Sequence, residues 1–73
     1  MGQQQIRTGS PVSWDWGQGT AEGKVQEIYR EKVTKQIKGS EVTRDGTQDN
    51  PAYLIEQSDG TEVLKLRSEL NEG

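Results

Sequence analysis

Side chains able to carry chemistry are few in this chain. Its 73 residues include no His and no Cys. That removes imidazole acid–base pairs, thiol nucleophiles, disulfides and zinc sites built on either residue. A general base would have to be Asp, Glu, Lys or Tyr, and no pair of these lies in an apolar setting that would shift a pKa. Neither an enzyme nor a cofactor is expected. Gly17, Gly19 and Gly23 are reminiscent of a phosphate-binding glycine loop. The spacing is one residue too long, no helix follows, and Glu22 would repel a phosphate, so they read as a flexible turn. Glu41, Asp45, Asp49 and Asn50 lack the spacing of a calcium loop and read as solvated loop residues. No metal is expected.

The remaining candidates are rings and cations. Two Trp and two Tyr are the only aromatics. Trp14 and Trp16, two apart, share one face of an extended segment. Rings at a rim can hold a cation through their faces or stack on bases. They are also the largest fillers available to a Phe-free core. Trp14, Trp16, Tyr29 and Tyr53 are therefore the candidate partner-binding residues. Packing competes for Trp14, Tyr29 and Tyr53, and less for Trp16, which stands beside glycines at a strand end. Residues 24–44 carry six positive and three negative charges, whereas residues 45–73 carry two and seven. Lys24, Arg30, Lys32, Lys35 and Lys38 thus form a mildly basic stripe that could meet nucleic-acid phosphates weakly. Glu27, Glu31 and Glu41 interrupt it, which also suits plain solvated strand faces.

These side chains need a scaffold, and the period of two supplies it. Val12, Trp14 and Trp16 alternate with polar residues, which predicts a first strand over 10–16. Residues 17–23 read as a loop. Residues 24–29 predict a second strand, in which Val25 and Ile28 are three apart and need a bulge to share a face. Residues 33–37 predict a third strand, joined to the second by a short hairpin loop at 30–32. Residues 39–50 hold one apolar residue, Val42, and read as a long functional or mobile loop, part of which could extend the flanking strands. Residues 52–57 predict a strand buried on both faces, begun by Pro51. A tight turn at Ser58-Asp59-Gly60 leads into a fifth strand over 62–67. Ser68 is expected to cap one helical turn that folds Leu70 inward.

Composition limits the object further. The chain is long enough for one domain. Leu, Ile, Val and Phe make up about 18% of it, close to the level of disordered chains. Net charge is only −3, so self-repulsion is weak. The core is expected to be thin and stability on the order of 3–5 kcal/mol. Residues 1–9 read as a disordered tail and residues 10–71 as the domain. The longest apolar run is far too short to span a membrane, so a cytoplasmic monomer without membrane contact is expected.

Val12-Ser-Trp-Asp-Trp16, Gly19-Thr-Ala-Glu-Gly-Lys-Val25, Ile37-Lys-Gly-Ser40, Val42-Thr-Arg44, Asn50-Pro-Ala-Tyr-Leu-Ile-Glu56, Lys65 and Ser68-Glu-Leu70 occur in this order. Together they resemble the hypervirulence-associated protein Tudor-domain family, small proteins of bacteria and fungi, over about residues 9–71. The resemblance implies an all-β, Tudor-like and SH3-like barrel of five strands, and it assigns no functional residue. Tudor domains of other kinds read methylated Lys or Arg through cages of three or four aromatics, and some bind nucleic acid. The combined expectation is a non-enzymatic binding module. Its partner would be an unidentified protein or peptide, held by an aromatic rim and the 39–50 loop. The alternative is weak nucleic-acid binding through the basic hairpin 24–38.

Overall fold

The computed structural model describes residues 6–70. Six strands and one short 3-10 turn follow one another: β1 (Pro11–Trp16), β2 (Gly19–Tyr29), β3 (Lys32–Ile37), β4 (Ser40–Asp45), β5 (Ala52–Glu56), β6 (Glu62–Leu66) and the turn Arg67–Glu69. The fold class is all-β, as the sequence predicts, but with six strands rather than five. Among the described residues no helix is long and apolar enough to cross a membrane.

The strands form a curled four-stranded sheet in the order β1-β2-β5-β6 and a separate β3–β4 ribbon. All recorded pairings are antiparallel. β5 is the centre of the molecule, with Ala52, Tyr53, Leu54 and Ile55 all buried. Its alternate side chains feed two cores, as the period of two requires. Tyr53 and Ile55 join Trp14, Val25 and Leu70 on one face, with Ile6, Val12, Ala21, Ile28 and Val63 packed around them. Ala52 and Leu54 join Leu64 on the other, where Tyr29, Val33, Ile37, Val42 and Leu66 close over them. The β3–β4 ribbon therefore covers one face of the sheet, while Ile6 and Leu70 help to cover the other.

Three turns fix the registers. Gly17 takes φ +51° at the first position of the two-residue loop joining Trp16 to Gly19, the position that a II′ turn reserves for glycine. Lys38 and Gly39 take φ +53° and +77° between Ile37 and Ser40, as a I′ turn requires. Gly60, at φ +88°, closes the β5–β6 loop, with the Gln57 N–H donating to Thr61 O at 2.7 Å. Lys38 is the only non-glycine residue of positive φ among the described residues. A side chain in that region is strained. Lys38→Asn is expected to stabilise the domain by about 0.5–1 kcal/mol, a rise of roughly 2–8 °C in the thermal midpoint. Calorimetry or CD melting checks it.

Several sequence expectations change here. Half of the 39–50 segment is β4, whose outer face is polar because the ribbon buries only its inner one. Residues 17–23 are mostly strand, paired with β1 from Gly19 onward. The second and third strands do not form a hairpin. β2 pairs with β5 and β3 with β4, and Arg30 and Glu31 carry the chain between the two sheets. The bulge that the Val25–Ile28 spacing demands lies between Val25 and Glu27. Within the expected tail, Ile6 packs on the core, and the Gly9 N–H donates to Val25 O at 2.6 Å. The remainder of the expected tail, residues 1–5, and the end of the domain at 71 lie outside the described residues.

Ser68 does not cap the final turn. The Glu69 carboxylate accepts the Leu66 N–H at 2.8 Å and pairs with Arg44 at 3.0 Å. Ser68 instead donates its N–H to Asn50 Oδ1 at 2.8 Å, and the Arg67 N–H donates to Pro51 O at 2.8 Å. These bonds tie the end of the chain to the segment before β5 and hold Leu70 against Trp14 and Tyr53.

Candidate functional site

The four candidate rings separate into different environments. Trp14 and Tyr53 are each 3% exposed and belong to the same core. This corrects their assignment to a binding rim: a domain without Phe uses its rings for volume. Tyr29 is half-buried against the second core. Its hydroxyl donates to Glu27, and Lys35 Nζ lies 5.0 Å from its ring centre. Trp16 is 62% exposed, the one exposed large apolar residue among those described. Its cross-strand partner is Gly19 and the next residue is Gly17, neither of which has a side chain to cover it.

Trp16 stands at the turn end of the β1–β2 hairpin, and Tyr29 at the far end of β2, opposite Ala52 of β5. From Gly19, opposite Trp16, to Tyr29 is ten residues of extended chain, about 33 Å before bending. No single rim therefore joins them.

The basic residues are dispersed as well. Lys35 points to the inner side of the ribbon and pairs with Glu27 at 3.6 Å. Lys32 faces Asp45 across the ribbon, and Lys38 sits in its turn. Arg30 lies between the two sheets. Lys24 is opposite Glu56 on β5.

What the fold does build beside Trp16 is an open groove of about 880 Å³. β2 from Thr20 to Lys24, Gln26, the end of β5 at Glu56 and the turn 57–60 line it. The groove exists because β2 outruns its partner. Pairing with β5 begins only at Lys24–Glu56, and the chain then turns back at Gln57. Gly23 sits where the two strands close up: a Cβ there would lie 2.6 Å from Ile55 Cγ2 and 2.7 Å from Glu56 O.

Of the residues lining the groove, Glu22, Glu56 and Asp59 carry negative charge and Lys24 positive charge, and Lys38 acts on Asp59 from outside the lining. Gln26 Nε2 donates to Glu56 Oε1 at 3.1 Å. The Thr61 backbone N–H, which donates to Asp59 Oδ1 at 2.9 Å, holds the Asp59 carboxyl below its usual pKa, with help from the Thr61 side chain. Asp59 is therefore an anion at neutral pH.

Sequence reasoning anticipated Trp16 but missed Glu22, Glu56 and Asp59, which come together only through pairing between distant strands. Among the described residues, no group of three or more carboxylates is arranged to hold a metal ion.

Burial acts differently on Tyr53, raising the pKa of its hydroxyl above the ordinary value despite the opposing fields of Arg67 and Arg30. Its contribution to stability is therefore full below pH about 10 and is lost as pH rises through the higher folded value. The thermal midpoint is expected to fall as pH climbs above about 10, and Tyr53→Phe should flatten part of that decline. Melting curves across alkaline pH test this.

A model of the hypervirulence-associated proteins TUDOR domain matches residues 9–70. No curated protein matches the chain, and no solved structure does.

Proposed function

Given that this chain belongs to the hypervirulence-associated protein Tudor-domain family, and that Tudor-type domains are in general small, non-catalytic binding modules, we propose that it binds a protein or peptide partner in the groove beside Trp16. The observation that carries this reading is a 62% exposed indole at the lip of a groove of about 880 Å³. A large ring left in water is the kind of residue that anchors interfaces, because it brings much apolar area at little entropic cost. The thin core makes the exposure more pointed: a chain with so few apolar side chains leaves one of its two tryptophans outside.

Trp16→Ala tests the reading. The variant is expected to keep its fold and its thermal stability to within about 0.5 kcal/mol and to lose partner capture in a pull-down. Unfolding would make Trp16 a core residue, and undiminished capture would move the site elsewhere. An oligonucleotide at low salt serves as the contrasting probe. Amide shifts at Lys24, Arg30, Lys32, Lys35 and Lys38 that fade with added salt would favour the nucleic-acid alternative.

A further inference from the structure

We infer that the groove receives its partner as an added strand: an extended, basic peptide segment pairs with the free edge of β2 at Thr20 and Glu22. The inference rests on the groove being the binding site and goes on to specify the geometry and charge of what fills it.

The hydrogen-bond parity of β2 carries the argument. A two-residue loop joins Trp16 to Gly19, and residues flanking such a loop form a hydrogen-bonded pair. Bonded and non-bonded pairs alternate from there. Gly19, Ala21 and Gly23 therefore bond to β1, and Thr20 and Glu22 turn their N–H and C=O groups the other way. Residues further on agree with this parity. The Val25 N–H donates to Ser10 O at 3.0 Å on the β1 side, while Lys24 pairs with Glu56 of β5. At Thr20 and Glu22 the neighbouring place in the sheet belongs to no strand among the described residues, since β5 has ended and the chain has turned away. The same two residues line the groove. Gly19 to Gly23 offers about 13 Å of edge, enough for a short strand. Main-chain bonds would supply affinity there, and alternate side chains specificity.

Charge selects the occupant. Glu22, Glu56 and Asp59 outweigh Lys24 in the groove lining even with Lys38 acting on Asp59 from outside it, so Arg or Lys on the added strand meets net opposite charge. Trp16 at the groove's end offers a ring face to one such cation. A second copy of this edge is a poor occupant, because Gly19-Thr-Ala-Glu-Gly23 brings a carboxylate and no cation. The phosphates of a nucleic acid would meet the same three carboxylates.

The test is an amide-resolved NMR titration of the full chain at low salt with two five-residue peptides. In one, valine alternates with arginine; in the other, glutamate replaces arginine. The basic peptide is expected to shift the Thr20 and Glu22 amides, to slow their exchange with solvent, and to bind at least about tenfold more tightly than the acidic one. Thr20→Pro removes one groove-facing N–H and leaves the β1 ladder whole. It should keep the thermal midpoint and weaken the basic peptide by about tenfold. If that variant does not fold, solvent exchange in the unaltered chain decides. Shifts around Trp16 without slower exchange at Thr20 and Glu22 would overturn strand addition and leave the groove standing as a binding site. Tighter binding of the acidic peptide would overturn the assigned charge. No shift in the groove with either peptide would overturn this inference and count against the groove itself.

Discussion

Alanine at Gly23 is expected to unfold much of the population at temperatures where the unaltered chain is folded. The new Cβ would lie 2.6 Å from Ile55 Cγ2, 2.7 Å from Glu56 O and 3.1 Å from Glu56 C. None of these can yield freely. Ile55 is fully buried at the centre of the molecule, and the Glu56 atoms are backbone held opposite Lys24. Overpacking of this kind costs about 1–3 kcal/mol and occasionally more. A domain of this size has only about 3–5 kcal/mol to lose. Gly19→Ala is the control, since a Cβ there meets nothing within 4 Å. It should change stability by no more than about 0.5 kcal/mol. Equal midpoints for the two variants in thermal or urea melts would contradict the close approach of β2 and β5.

Trp14→Ala is expected to have the other large effect, a loss of about 3–5 kcal/mol. Its indole is 3% exposed among Val25, Tyr53, Ile55 and Leu70. Those neighbours are held by strand pairing and cannot collapse into the space left behind. The expected loss matches the whole stability of the domain, so CD and proton-resonance dispersion should both report an unfolded chain. Trp16→Ala, two positions along the same strand, should melt like the parent. A small effect at Trp14 would mean that the core is filled by other side chains.

The contrast between these neighbours shows where sequence and structure part. Alternation puts both tryptophans on one face, and the period of two can say no more. Which one is covered depends on the opposite strand: Trp14 faces Ala21 within the core, whereas Trp16 faces Gly19 at the sheet's end. β5 was legible because its apolar run admits burial on both faces. The bulge was legible because Val25 and Ile28 cannot otherwise share one. β4 was hidden by its polar outer face, although Lys38-Gly39 at two-residue hairpin spacing before Val42 and Arg44 was the available signal. The start of β2 was hidden by glycines, which are poor strand formers. A tight hairpin beginning at Gly17 holds them extended.

The groove was not legible at all. Its floor is a mismatch in length between two strands, and its carboxylates come from residues 22, 56 and 59, gathered only once β2 and β5 have paired. The placement of the basic stripe was hidden for the corresponding reason. Its cations follow one another along the chain, but strand alternation and the crossing at Arg30 and Glu31 send them to different surfaces.

Fluorine NMR of the chain labelled with 5-fluorotryptophan tests the division of labour between the two indoles most directly. Two resonances are expected. One should be indifferent to exchanging H2O for D2O and to added peptide, and should disappear from its position in Trp14→Phe. The other should shift with solvent isotope, move when the basic peptide is added, and be absent in Trp16→Phe. Two resonances equally sensitive to solvent, or a peptide response at Trp14 with none at Trp16, would contradict the account.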